Sequence, residues 1–332
     1  VVQYAQTRDD GSTYSSTAAS GYSKINTKQS TLSWQNDISF GSDVLQLLYE
    51  RRKEEVVTNG YVLTEPQRVT NAIASSYSAR RGDHLFNASI RRDRSVYGSK
   101  NTGALGYGHY LNADLRASAS YGTSFRAPTY NELYYPSYGN PANKPEPGKN
   151  AEIGLHYAHG TTTVNANYYR NRITDLLVNT TPCPYGTAAY KFGCAYNVNH
   201  ALLAGLSLSA SQQLGAFTFS ASGDWQDPKD ETSGKRLARR SRQHGNLTAD
   251  YSAAGWKAGV EVVLSGDRFD DAANKSRLAG YGLVNLYATY QLNRDWSTLV
   301  RWNNVGDKQY DLARNYSTPM GKVFAGIRYG YQ

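Results

Sequence analysis

Long and short connectors alternate along this chain, and that asymmetry limits its fold more than any other feature. Apolar alternation and turn residues mark sixteen strand-like segments: 1–8, 26–40, 43–56, 66–80, 84–94, 103–110, 114–124, 150–158, 161–173, 195–212, 217–226, 239–251, 256–266, 281–291, 296–304 and 321–331. The short connectors include Phe40-Gly41-Ser42, Arg81-Gly82-Asp83, His159-Gly160, Leu214-Gly215-Ala216, Ser252-Ala253-Ala254-Gly255 and Leu292-Asn293-Arg294-Asp295. The long ones include 9–25, 57–65, 125–149, 174–194, 227–238, 267–280 and 305–320. Consecutive hairpins that keep every long connection at one end describe an up-and-down meander. A soluble sandwich has no reason to segregate its loops in this way.

The strands carry two chemically different faces. In 256–264, Trp256, Ala258, Val260, Val262 and Leu264 share one face, and Lys257, Gly259 and Glu261 the other. In 202–210, Leu202, Ala204, Leu206, Leu208 and Ala210 oppose Leu203, Gly205, Ser207 and Ser209. In 282–292, Val284, Leu286, Ala288, Tyr290 and Leu292 oppose Asn285, Tyr287, Thr289 and Gln291. Aromatics mark the strand ends: Trp256, Tyr281, Tyr290, Trp296, Trp302, Tyr329 and Tyr331. Several segments exceed ten residues, whereas strands of soluble sheets average about five or six and tilted membrane strands need about nine to eleven. Mean hydropathy is −0.62, and no run of eighteen apolar residues exists to make a membrane helix. Alternation hides a membrane barrel from that test. The fold expected is therefore all-β, a transmembrane antiparallel β-barrel of the bacterial outer membrane, facing lipid and lipopolysaccharide outside. The last segment, Lys322 to Tyr331, resembles the C-terminal assembly signal of such barrels, with Gln332 after the final aromatic. The chain begins at Val1 inside a strand-like pattern, so an export signal is expected to have been cleaved or to lie upstream.

The net charge of +9 raises nucleic-acid binding, but the basic residues are spread over many strands and no nucleic-acid motif occurs. A lumen or lipopolysaccharide-facing rim is the better home for this charge, and no nucleic-acid partner is expected. Lys235, Arg236, Arg239, Arg240 and Arg242 form a basic run at a loop-to-strand junction, where Arg240, Arg242 and His244 are expected on the lumen wall. A solvated wall and an anion-attracting one are both open. The 125–149 connector concentrates Tyr130, Tyr134, Tyr135 and Tyr138 beside Arg126. Tyrosine offers rigid contact area with a polar tip, which suits capture of a large ligand as well as simple loop packing. Cys183 and Cys194, in the 174–194 connector of an exported chain, read as a disulfide that constrains ten residues by about 3 kcal/mol. His156 and His159 flank a short turn and read as rim residues. No nucleophile triad or carboxylate pair can be argued from spacing, so no catalytic residue is assigned, no metal site is expected, and no enzyme activity is inferred.

Several segments carry a family likeness. Tyr121-Gly122-Thr123-Ser124-Phe125-Arg126-Ala127-Pro128-Thr129 is followed by Asn131-Glu132-Leu133-Tyr134 and then Gly139-Asn140-Pro141-Ala142-Asn143-Lys144-Pro145-Glu146. Asn303-Asn304-Val305-Gly306-Asp307-Lys308-Gln309-Tyr310 lies near the C-terminus, with Gly306 where the family pattern has Phe, and Asn197 to Leu206 forms a late strand. In order and spacing these segments resemble TonB-dependent receptors, 22-stranded barrels with an N-terminal plug, and within them the vitamin B12 (cobalamin) receptors. Haem receptors share the Phe-Arg-Ala-Pro box but place a histidine after it, and none lies between Phe125 and Asn143. The resemblance implies that residues 1–332 are the C-terminal part of the barrel, with the plug and the first strands outside this chain. It implies cobalamin or another metal chelate as ligand and energy from the TonB complex through the N-terminal part. No cofactor is expected in this chain, while calcium belongs to the part outside it. Parity agrees, since the last sixteen of twenty-two strands begin on an outward one.

Two functions remain in view. One is ligand-gated uptake of a large, scarce nutrient. The other is a passive porin of sixteen strands whose basic lumen favours anions. The porin explains the strand count alone but leaves the Phe-Arg-Ala-Pro and Asp-Lys-Gln-Tyr segments without a role.

Overall fold

A computed structural model describes residues 1–14, 22–59, 63, 65–186 and 188–330 of the chain. The strands are β1 (Val2–Tyr14), β2 (Tyr22–Phe40), β3 (Asp43–Thr58), β4 (Gln67–Arg81), β5 (His84–Ser95), β6 (Gly98–Tyr110), β7 (Leu115–Arg126), β8 (Glu146–His159) and β9 (Thr162–Thr180). They continue with β10 (Cys194–Leu214), β11 (Phe217–Asp230), β12 (Gln243–Ala253), β13 (Trp256–Ser265), β14 (Arg268–Phe269), β15 (Arg277–Leu278), β16 (Tyr281–Gln291), β17 (Trp296–Asn303) and β18 (Lys322–Tyr329). The one helix among the described residues, α1 (Tyr130–Tyr134), lies between β7 and β8. Sixteen strands form one sheet in chain order, each beside its sequence neighbour, with β14 and β15 set apart as a small hairpin between β13 and β16. Neighbouring strands pair antiparallel, as β1 does with β2, β2 with β3 and β10 with β11. The expected all-β antiparallel meander is therefore present.

Short turns follow from backbone stereochemistry. Gly41, Gly82, Gly160 and Gly215 each open a two-residue turn at φ near +60°, the region where a side chain is strained and glycine is free. Ala254-Gly255 reverses β12 into β13 with both residues at positive φ. Two four-residue turns share a different device. The Asn112 Oδ1 accepts the backbone N–H of Asp114 and Leu115, and the Asn293 Oδ1 accepts those of Asp295 and Trp296.

Strands at the other end run further than alternation predicts. β9 and β10 reach 19 and 21 residues, roughly double what a tilted crossing needs. The connectors shrink accordingly: 9–25 to 15–21, 125–149 to 127–145, and 174–194 to 181–193. The connection from β5 to β6 is a two-residue turn, Val96-Tyr97, with Ser95 opposite Gly98, so the alternation of long and short is not strict. Beyond the apolar band neither face of a strand meets lipid, and period-two hydrophobicity stops reporting the strand. The reverse correction applies at 239–251, where β12 begins only at Gln243. Tyr331 and Gln332, part of the expected C-terminal signal, lie outside the described residues.

The chain divides into two compact units, residues 1–109 with 120–151 and 172–200, and residues 110–119 with 152–171 and 201 onward. In the second unit the apolar face is the exposed one. Leu208, Leu247, Leu264, Val284, Val300 and Ile327 stand between 40 and 70 % exposed, as lipid-facing side chains do. The opposite face is knitted by polar contacts. Glu261 accepts from Asn246, Asn285 and Arg301, Asp224 from Tyr169 and Ser207, and Asp250 from Tyr287. Aromatic pairs close the short-turn end of this face pattern: Phe217 with Tyr251, Trp256 with Tyr290, and Trp296 with Tyr329. Buried apolar residues sit instead at the loop end, including Leu176, Leu177 and Ala195 in the first unit and Leu237 and Leu278 in the second.

Candidate functional site

The Tyr-rich connector 127–145 is a built platform. Thr129 caps α1: its Oγ1 accepts the Glu132 N–H, while the Glu132 carboxylate accepts the Thr129 N–H. Arg126, the last residue of β7, forks between two carboxylates. It donates to Glu132 at 2.9 and 3.0 Å and to Glu146, the first residue of β8, at 2.6 and 2.8 Å. Glu146 is buried and also accepts the Leu177 N–H from β9. The guanidinium thus ties a five-residue helix to two strands, a bidentate use for which arginine is suited.

A second arginine holds the connector from the other side. Arg68 on β4 pairs with Glu54 on β3 at 2.9 and 3.0 Å and donates to the Pro128 carbonyl at 2.8 Å. Its guanidinium lies 5.3 Å from the Tyr130 ring centre, and the Tyr130 hydroxyl donates to the Glu54 carbonyl at 3.2 Å. Burial is the main cause that pushes the Tyr130 phenol up to about 12, and burial also raises Tyr134 and Tyr138. Burial works against the Glu132 carboxylate, yet Arg126 and Thr129 hold it below its ordinary range.

The disulfide connector is clasped onto this platform. Cys183 and Cys194 are bonded, with Cα atoms 5.4 Å apart. Asn143 is the hinge pin: its Nδ2 donates to the carbonyls of Glu132 and Ala195, and its Oδ1 accepts from the Tyr185 hydroxyl. The Ala195 N–H reaches the Tyr138 carbonyl at 2.9 Å. Asn197 bridges Lys144 and Asp175. Tyr185 packs its ring against Tyr190 and Tyr196. The platform therefore presents tyrosines from two connectors on a cross-braced base, with Tyr135 exposed.

Of the residues expected to meet a ligand, Arg126 and Tyr130 are engaged in bracing, and Tyr134, Tyr135 and Tyr138 share their connector. Sequence reasoning missed Arg68, Glu54, Asn143 and Asn197. It also missed the role of Glu132, although Thr129-x-x-Glu132 is a legible capping box.

The basic run at 235–242 belongs to the second unit and lies in a connector rather than on the strand wall. Arg236 pairs with Asp267, Arg239 with Asp270 and Arg242 with Asp227, at 2.8 to 3.0 Å. Arg236 also stacks on Phe269, and Arg277 shares Asp267. Arg240 and Arg242 are placed before β12, and of the three expected on the wall only His244 is on the strand, opposite Asp224 and Ser265. Most of the charge that looked available for an anion is spent on holding connectors together. His156 hydrogen-bonds Ser118 and Asn165, and His159 pairs with Asp114. No group of three or more metal-ligating side chains occurs among the described residues.

Residues 2–305 match the family described as TonB dependent receptor-like, beta-barrel. The chain is 31% identical over 330 residues to the vitamin B12 transporter BtuB of Photobacterium profundum, covering 98% of this chain and 54% of that protein. It is 31% identical over 240 residues to the vitamin B12 transporter BtuB of Vibrio vulnificus, covering 72% and 38%. The chain thus spans about half the length of the curated relatives it matches. Among solved structures, the ferric enterobactin receptor of Pseudomonas aeruginosa superposes with a TM-score of 0.79 at 16% identity over 99% of this chain and 59% of that one. The siderophore receptor PirA of Acinetobacter baumannii gives 0.75 at 16% over 99% and 59%. At that identity the likeness is one of fold.

Proposed function

Because the chain belongs to the TonB-dependent receptor β-barrel family of the bacterial outer membrane, we propose that it forms the C-terminal barrel portion of a receptor that takes up cobalamin or another metal chelate. The observation that carries this reading is 31% identity to a vitamin B12 transporter across 98% of the chain. The braced tyrosine platform supports it: rigid aromatic contacts with polar tips suit a ligand larger than a solute of a passive pore. The plug and the first strands of the barrel belong to the part of the receptor outside this chain, as does contact with the TonB complex. Any calcium bound by the receptor belongs there too. The chain itself contributes binding and passage, with no catalytic step. Family membership and the pairing of the basic run both favour gated uptake over an anion-selective porin.

The test is binding of radiolabelled cyanocobalamin to outer membranes from cells with and without the gene, followed by uptake with and without an uncoupler. Saturable binding and uncoupler-sensitive uptake are expected. Binding of a ferric siderophore in place of cobalamin selects the other metal chelate. Uptake that stays linear with concentration and ignores the uncoupler would overturn the reading.

A further inference from the structure

The lipid-facing side of β10–β16 carries a row of missing side chains. Register aligns Leu208 with Gly223, Gly223 with Gly245, Gly245 with Leu264, and Leu264 with Gly282. All five share the face of Leu247, Val260 and Val284, the face that meets lipid. Three glycines in one cross-strand row weaken a sheet, since glycine has low strand propensity and packs nothing. Backbone geometry does not demand the central one. A Cβ on Gly245 would meet its nearest atoms at 3.5 and 3.7 Å, ordinary contact distances, and its φ is not in the left-handed region.

The row makes a trough. A cavity of about 900 Å³ lies against Leu208, Gly223, Trp225, Gly245, Leu264 and Gly282. The Trp225 indole lies over Gly223, so a Cβ there would meet the ring at 2.5 Å; the indole forms one wall and Leu264 the other. A second cavity of about 440 Å³ shares Val164, Ala210, Ala221 and Leu247 with the first and continues toward Phe219 and Val260. The depression thus lies across β10 to β16 and extends along the strands toward the short-turn end. Gly223 and Gly245 lie six residues from Phe217 and Tyr251 of the short-turn aromatic ring, roughly 20 Å of strand, in the half of the apolar band nearer the long loops. At the loop end the first cavity is lined by Lys308, an exposed side chain with no ion-pair partner among the described residues. Exposed Lys229 lies four residues beyond Trp225 on the same strand face.

We propose that this trough is a specific site for an acyl chain of a phosphorylated outer-leaflet glycolipid of the lipid A type, with its phosphate met by Lys308 and Lys229. An acyl chain can fill the recess beside the Trp225 and Leu264 side chains, whereas the broad face of a second barrel would bridge over it. The cations at its mouth select an anionic headgroup. Glycine at 245 is explained because any side chain there would fill the recess.

The experiment is native mass spectrometry of the detergent-solubilised protein from outer membranes, delipidated and titrated with purified lipid A or with zwitterionic phosphatidylethanolamine. One retained lipid A is expected at concentrations where phosphatidylethanolamine leaves none. Gly245→Leu should weaken lipid A by about tenfold, the worth of a few lost methylene contacts. Lys308→Gln should weaken it by about fivefold, the worth of one cation at a membrane surface. Heat-modifiable migration on gels checks that each variant is folded. If Gly245→Leu does not fold, Ala210→Leu, which only enlarges an existing side chain in the same recess, takes its place. Unchanged lipid A retention in a folded, filled variant overturns the site. Equal retention of phosphatidylethanolamine overturns its selectivity, and a change from dimer to monomer on filling the trough makes a second copy the occupant instead.

Discussion

At the short-turn end, connections of two to four residues reverse the chain mainly with their own backbone geometry, by glycine at positive φ or by an asparagine amide folded onto its own turn. At the loop end, connections are held by side chains from residues far away in sequence: Arg68 to Pro128, Asn143 to Ala195, Asn197 to Asp175, and Arg236 to Asp267. The difference teaches where each end can vary. A local turn can be lost only by changing its own residues, and its failure stays within one hairpin. A braced loop depends on a network, so one substitution can release surface over three strands. Local stereochemistry suits the end that needs only to turn. Long-range bracing suits the end where a ligand must be met by a surface of fixed shape.

The sharpest way to break the comparison is Arg126→Ala. It removes one guanidinium from two carboxylates, and leaves Glu146, whose side chain is 6% exposed, without its cation. Taking one partner from a buried pair costs roughly 3 kcal/mol, toward the low end because Arg126 is itself partly exposed. The loss is expected locally: hydrogen exchange of residues 127–145 and 181–193 should quicken by about two orders of magnitude, while heat-modifiable migration of the barrel on gels stays unchanged. Acid should imitate the variant. Glu132 is held below its ordinary range by Arg126 and Thr129, so its contribution is complete above that range and is lost as pH falls through the lowered value. Protection of 127–145 should therefore be flat near neutrality and fall only in acid. A matching loss of barrel stability would mean that the loop end is not energetically separate from the sheet.

The same contrast explains what could be read from the sequence. Gly41, Gly82 and Gly215 announced their turns because a single residue type serves a single backbone region. Leu206, Leu208 and Ala210 announced the lipid face because alternation is strict where lipid lies on one side. Strand ends were not legible: Asp227 to Asp230 continue β11 with Asp227 and Lys229 exposed and Pro228 buried under the following connector, so no apolar alternation marks them. Arg240 and Arg242 were misplaced onto a strand for the same reason. The Arg68–Glu54 brace was invisible because it depends on the register of β3 against β4 and on a connector sixty residues away. Thr129 and Glu132, by contrast, were within reach of a local rule.

A smaller effect is expected from Gly82→Ala. Gly82 sits at φ +56° with open space around its Cα, so the cost is purely conformational, about 1–2 kcal/mol. It should appear as a lower urea midpoint for unfolding from lipid vesicles, with unchanged exchange in 127–145. If the loops also loosen, the turn end transmits strain that its local hydrogen bonding gives no route for.

The smallest effect belongs to Arg242→Ala, and it sharpens the comparison by asking whether every loop-end ion pair braces. Arg242 and Asp227 pair at 2.8 Å, but both side chains are more than half exposed. Coulomb attraction there is weakened by water and salt, and holding two mobile side chains together costs entropy, so the pair is worth about 0.5 kcal/mol or less. Exchange rates in 231–242 should change less than about threefold. The nearby pair of Arg236 with Asp267 is different, because Arg236 is largely buried and stacks on Phe269. Arg236→Ala should loosen the same connector markedly under the same measurement. Equal responses would mean that charge alone, not burial and stacking, holds this connector. A strong response only at Arg236 would place the bracing in the arginines that combine a carboxylate with a second contact, Arg68, Arg126 and Arg236.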